Sequence, residues 1–196
     1  MYGRETEEAD GTTKVRSFAA SGKLWRDAVV LRDRESGSMW TQHDGHALEG
    51  PARERGAKLE MVPSERSTWA VARAEYPSAK VLRKTSGIFG SGKQDVYAEY
   101  RASKAEESPF GSGGDDRLAS KELIFGLEIA GKSLAIPVEA LPETGEVSVE
   151  VGGQRFMVDR SGVRTEAGDD YAALTIWYFA WLRTHPETDV WTPAPS

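Results

Sequence analysis

The chain has 196 residues, 39% hydrophobic and 29% charged, with 25 Lys and Arg against 31 Asp and Glu, a formal charge of −6. That balance describes a folded chain long enough for a core and argues against a general attraction to nucleic acid or to an anionic membrane. The absence of cysteine removes disulfides, thiolate metal sites, iron–sulfur clusters and cysteine nucleophiles together.

Residues 1–12 read as a charged N-terminal arm in which Met1 and Tyr2 can begin a strand. The arm lacks the basic-then-apolar order of a secretory signal. The segment KVRSFAAS (14–21) follows, and the run LWRDAVVLR predicts a strand over 24–32 with Val29, Val30 and Leu31 buried. Residues 34–37 read as a turn, 38–42 as a short strand with Met39 and Trp40, and Asp44-Gly45 as a hairpin turn returning through Ala47-Leu48. A short strand over 58–62 ends at Pro63. A helix follows over 68–76, with Ser67 as N-cap and Trp69, Ala72 and Tyr76 on one side. Pro77 closes it, and 79–82 reads as a strand.

Residues 85–118 form a long Gly- and Ser-rich connection, with a helical reading open for 96–106. Two hairpins are then predicted, 123–129 with 132–138 and 145–151 with 154–159. A helix over 171–184 starts from Asp169 or Asp170, a short strand covers 189–191, and 192–196 is a tail. The strings WAVARAEYPSAKVL and YFAWLRTHPETDVW echo each other about a proline, which suggests two related halves joined by 85–118. The fold reading is a single domain over 1–196: α+β, β-rich and mostly antiparallel, with two main helices at about 68–76 and 171–184. The expected core holds Val29, Val30, Leu31, Trp40, Trp69, Ile124, Phe125, Leu127, Ile129, Val149, Phe156, Val158, Ile176 and Phe179.

Chemistry is sparse. GIFGSGK (87–93) satisfies G-x-x-x-x-G-K, in which backbone amides and Lys93 would cradle phosphates. However, Gln94 replaces the magnesium-binding Ser or Thr, and a flexible loop accounts for the same residues. His43-Asp44-Gly45-His46 can bring two imidazoles face to face across a hairpin, as zinc or copper would need. The ligand count falls short, because His185, the third histidine, sits far off after a helix. The acidic pairs lie in polar loops, and no G-x-S-x-G elbow is present. Residues 14–34 carry six basic and two acidic residues, which the outer faces of strands accommodate. Trp177 and Trp181, four apart on the last predicted helix, share a face. No stretch reaches the roughly 18 apolar residues of a membrane span. No cofactor is expected.

SGKLWRDAVVLRDRESGSMWTQ (21–42) resembles a bacterial domain-of-unknown-function family, number 3179, with Ser21, Gly22, Leu24, Asp33, Arg34, Ser38, Trp40, Gln42, Gly45, Gly50 and Pro51 at its marked positions. Thr68, Trp69, Ala72, Tyr76, Pro77, Val81 and Leu82 meet a second phrase. DDRLASKELIFGLEIAGKSLAIPVEAL (115–141) meets a third, and Gly152-Gly153 and the closing WYFAW…HPETDVW also fit. The resemblance spans about 14–191. In it, 87–93 belongs to a loop marked by Thr85, Gly87, Asp95, Tyr97 and Tyr100, which weakens the phosphate-loop reading. Relatives usually begin with a further stretch holding a C-x-x-C-type motif, often after an export signal, and this chain reads as a shortened form starting beyond it. A cytoplasmic location follows from the N-terminus, peripheral attachment to a membrane being compatible with it, while the resemblance keeps an exported one open.

The function expected from these readings is a non-catalytic interaction protein, an extrinsic subunit that stabilises a larger assembly, a membrane-bound one being compatible with the readings. Other protein subunits are its partners, and Trp191, Phe89, Tyr97, Tyr100 and Phe110 the contact residues. The alternatives are a small-ligand or metal-binding domain using His43 and His46, and a nucleotide-dependent enzyme acting through Lys93.

Overall fold

The computed structural model describes residues 1–81 and 115–193. In the N-terminal part, β1 (Glu5–Glu7) pairs with β2 (Thr13–Val15). A four-stranded antiparallel sheet follows in sequential order: β3 (Phe18–Trp25), β4 (Ala28–Asp33), β5 (Met39–Trp40) and β6 (Ala47–Glu49). After it come the short helices α1 (Pro51–Glu54) and α2 (Trp69–Glu75).

The C-terminal part holds two further sheets. One runs β13 (Leu174–Trp177), β7 (Leu123–Ile129), β8 (Lys132–Pro137), β14 (Asp189–Val190); the other runs β12 (Asp170–Tyr171), β11 (Val163–Thr165), β10 (Gln154–Val158), β9 (Val147–Val151). Helix α3 (Tyr178–Leu182) follows β13 directly. Every ladder is antiparallel except β14 on β8. The β-rich, mostly antiparallel α+β reading therefore holds.

The side-chain period of two explains why β7 and β8 read as almost continuous apolar runs. Phe125, Leu127, Leu134 and Ile136 meet Val149, Val151, Phe156, Val158 and Val163 of the neighbouring sheet. Their alternates Ile124 and Ala135 pack against Tyr178 and Trp181 of α3. Both faces are covered, so both must be apolar.

The N-terminal sheet has a much smaller apolar cluster: Trp40, Ala47, Ala52 and Leu59. It is held instead around a carboxylate. Asp33 is fully buried and accepts hydrogen bonds from the Trp40 indole at 2.8 Å and from the Ser36 amide at 2.6 Å and hydroxyl at 2.8 Å. The Arg16 guanidinium, itself 2% exposed, lies 3.9 Å away and also reaches Thr6 and Glu8. Ser38 Oγ accepts the amide of Ala52, where Pro51 starts α1, and Gly50 passes so close that a Cβ would lie 3.0 Å from that oxygen. Asp33, Ser38, Trp40, Gly50 and Pro51 of the family-like phrase are thus framework.

Several expectations change. The arm over residues 1–12 packs onto the fold, with Thr6 buried in β1 and Tyr2 bridged to Met61. The predicted strand 24–32 is split by a hairpin turn at Arg26-Asp27, and 58–62 contributes single bridges only. The helix near 68 is capped by Thr68, not Ser67, because the Thr68 hydroxyl accepts the Val71 amide. The helix expected over 171–184 is confined to Tyr178–Leu182, without side-chain capping by Asp169 or Asp170, since 174–177 pairs with β7. Trp177 therefore lies on a strand and Trp181 on a helix. Val29 and Trp69, expected in the core, are exposed, while Leu31, Ile129 and Ile176 are half-buried. Residues 79–81 form no strand, and α2 lies exposed where α3 is buried.

Asp33→Ala leaves the buried Trp40 indole N–H and the Ser36 donors without their acceptor, and removes one of the two carboxylates beside the Arg16 guanidinium. Urea denaturation should show a loss of about 3–5 kcal/mol; a loss below about 1 kcal/mol would deny the network that role. Asp159 gives the pH dependence. Burial acts to raise its pKa, but bonds from Ser161, Arg164 and the Gly162 amide outweigh it and lower the value from 3.8 to about 2. Its contribution to stability is complete above the unfolded value and is lost as pH falls through the folded one. Asp159→Asn should flatten that limb of the stability–pH curve.

Candidate functional site

The N-terminal sheet meets α3 at the tip of the β3–β4 hairpin. Arg26 and Asp27 both take positive φ, 48° and 64°, in a two-residue turn that usually carries Asn or Gly. The tip is clasped from outside. Arg26 Nη1 donates to the Arg183 carbonyl at 2.8 Å, and Arg183 Nε donates to Asp27 Oδ2 at 2.7 Å. From the sheet side, His43 Nε2 lies 3.1 Å from the Arg26 carbonyl. A carbonyl only accepts, so Nε2 carries the proton and Nδ1 of the neutral ring bears a lone pair.

His43 is 3% exposed, and among the described residues its Nδ1 is the one buried side-chain polar atom without a hydrogen-bond partner. Burial pushes its pKa below the ordinary 6.5, against the opposing influence of the Arg26 carbonyl and Asp44. The ring contacts Trp25 edge to face, centroids 5.9 Å apart. It also borders two clefts. The larger, about 880 Å³, has walls of Leu24, Ala28 and Val29 on one side and Leu174, Ile176 and Phe179 on the other. The smaller, about 420 Å³, is more polar and includes Asp44, Lys58, Glu128, Tyr171 and His185.

The expected pairing of His43 with His46 across the hairpin gives way to a different arrangement. His46 is half-exposed and pairs with Asp44, Nδ1 to Oδ2 at 3.0 Å, while His43 is buried and tied to Arg26. His185, expected to be remote, lines the smaller cleft with His43. No group of three His, Cys, Asp or Glu among the described residues is placed to hold a metal ion. Trp191 is half-buried against the C-terminal core, its amide bonded to the Ala135 carbonyl. Phe89, Lys93, Tyr97, Tyr100 and Phe110 lie outside the described residues. The hairpin tip and the proximity of His185 were missed, because Arg-Asp is a weak turn signal and the second feature is purely tertiary.

The smaller cleft is floored by Trp181. Its ring stacks on His185 with centroids 3.6 Å apart, and its Nε1 donates to Thr188 Oγ1 at 2.9 Å. Arg117 holds the same corner, bonding the Thr188 carbonyl at 2.7 Å and Asp115, which accepts the Tyr178 hydroxyl at 3.0 Å. Burial, followed by the Asp115 bond, pushes Tyr178 up to about 12. Gly126 makes this packing possible, since a Cβ there would lie 2.6 Å from the Trp181 ring. Gly126→Ala should therefore displace the indole. Expected are a loss of about 1–3 kcal/mol in thermal or urea unfolding and a changed tryptophan emission; an unaltered spectrum would refute the contact.

A second feature stands apart from the clefts. None of the residues of α2 is buried, and Trp69 (62% exposed), Val71 and Tyr76 present apolar surface to solvent. Val62 and Val81, before and after this helix in the chain, are exposed too.

In comparisons with known proteins, no curated protein and no solved structure matches. One family does, described as "Protein of unknown function (DUF3179)", and it matches residues 2–191, nearly the whole chain. The chain belongs to this domain-of-unknown-function family 3179, as the phrases built around Asp33, Trp40 and Asp115 imply.

Proposed function

We propose that the protein works without covalent chemistry, as an interaction module: an extrinsic subunit that docks onto other proteins of a larger assembly. The observation that carries this reading is the surface of α2. A seven-residue helix is too short to hold itself in water, and this one buries none of its own side chains. Trp69 and Tyr76 are the residue types that dominate protein interfaces when a partner desolvates them. Burying each fully would release on the order of 1.5–3 kcal/mol. The occupant that fits is a folded protein with apolar pockets for these two rings. No helix of the described residues is long and apolar enough to cross a membrane, so attachment to a membrane-bound assembly would run through that partner.

The test is native size. The untagged protein is extracted in mild detergent from its own cells, separated by size and detected. Co-migration with a large complex is expected, along with release toward the monomer mass of 21.5 kDa for a variant carrying Trp69→Ser and Tyr76→Ser. Because both side chains are exposed, the variant should keep its unfolding free energy within about 0.5 kcal/mol of the parent. Migration of the parent at the monomer mass would remove the subunit reading.

A further inference from the structure

The larger cleft is independent of α2, and its wall chemistry is specific. Its sides are Leu24 and Val29 from the β3–β4 hairpin and Leu174, Ile176 and Phe179 from β13 and α3. The carboxylate on the described wall, Asp27, is held by Arg183 at 2.7 Å. A charged ligand would therefore find a committed partner, whereas an apolar one would find matching surface. At the edge of this surface stands His43, with its Nε2 proton committed to the Arg26 carbonyl. Other buried side-chain polar groups nearby are satisfied. Thr41 Oγ1 accepts the His43 amide at 3.0 Å, and Thr188 Oγ1 accepts the Trp181 indole. Nδ1 is the exception. A buried acceptor left unpaired costs free energy that one suitable donor recovers.

The geometry points to a binding site in this cleft for a small, neutral, mostly apolar molecule that carries one hydroxyl and, because Nδ1 has almost no open surface in the free protein, donates it to His43 Nδ1 as the cleft walls part to admit it. The apolar body lies between the hairpin wall and the β13 wall, and the hydroxyl meets the imidazole at the seam. The strained Arg26-Asp27 tip fits this role. It places the carbonyl that fixes the His43 tautomer, and positive φ at non-glycine residues gathers where surrounding structure imposes it.

The probes are 4-propylphenol and its methyl ether, 4-propylanisole, which share an apolar body and differ in the hydroxyl proton. Titration calorimetry on the full chain should show saturable binding of the phenol, about tenfold tighter than that of the ether. Long-range nitrogen NMR of the histidine rings should show the His43 Nδ1 resonance moving with the phenol and not with the ether. A His43→Leu variant should bind both probes alike. Ile176→Trp, which fills the cleft and leaves His43 in place, should bind neither, so the assignment does not depend on one variant folding. Equal affinity of the parent for the two probes, or an unmoved Nδ1 resonance, would overturn the proposal. Absence of saturable binding of either would overturn it as well, and would leave Nδ1 to an internal water.

Discussion

The N-terminal half is organised by a carboxylate that has been taken out of water. Asp33 sits at the end of β4 with no exposed surface. A buried ionised group must be met by hydrogen bonds and an opposite charge, or it neutralises. Burial alone would raise its pKa, yet the bonds from Trp40 and Ser36 and the charge of Arg16 hold it below the ordinary value. Each donor comes from a different stretch: the turn after β4, strand β5, and the segment leaving β2. Arg16 in turn binds Thr6 and Glu8, and Glu8 binds Arg55 at 3.2 Å beyond α1. A chain of polar contacts thus fixes how β1, β2, the β3–β6 sheet and α1 sit together. Apolar burial there is too limited to specify that geometry alone.

The C-terminal half solves the same problem with shape. Its sheets bury apolar side chains on both faces of β7 and β8, and the decisive residue is one that has no side chain. Gly126 admits the Trp181 ring against the strand, and the ring's position then sets His185, Thr188 and the Arg117–Asp115 clamp. The two halves touch where Arg26 and Asp27 reach Arg183, and again where the Arg66 amide donates to the Ser161 carbonyl. The clefts border this seam, where a polar network meets apolar sheet faces, and neither half alone could supply both kinds of wall.

Much of this was legible from residue order where one face of a strand is wet. GEVSVEV alternates cleanly, and with QRFMVD returning after Gly152-Gly153 it forms the antiparallel pair β9 and β10. Asp44-Gly45 and Ala130-Gly131 gave their hairpins for the same local reason. The failures share a cause. Residues 171–182 are apolar nearly throughout, and a fully apolar run carries no period to separate strand from helix. Pairing with β7 decided the matter, making 174–177 strand and 178–182 helix. Residue type alone places Trp69 in the core, yet no residue of α2 is buried. At the site, His43 was singled out for its neighbour His46, whereas its significance comes from Arg26 and from the cleft walls.

Many of the residues that the family-like phrases pick out do framework jobs here, although Leu24, Trp69 and Tyr76 of the same phrases are exposed. Asp33, Ser38 and Trp40 build the N-terminal network, Gly50 and Pro51 start α1 against Ser38, and Asp115 and Arg117 pin α3 to β14. The groups left over from that work are of two kinds, and they lie apart. One is apolar surface on a helix with no buried residue, which asks for a partner larger than a small molecule. The other is a single lone pair on a buried imidazole beside an apolar cleft, which asks for something small enough to enter a seam. A fold that satisfies its other buried side-chain polar atoms, as far as the described residues extend, has the means to satisfy this one as well. Keeping it bare costs stability in the free protein, and that cost is recovered only when a donor arrives. The frame belongs to the family, and the two unfilled demands on it are where function is to be sought.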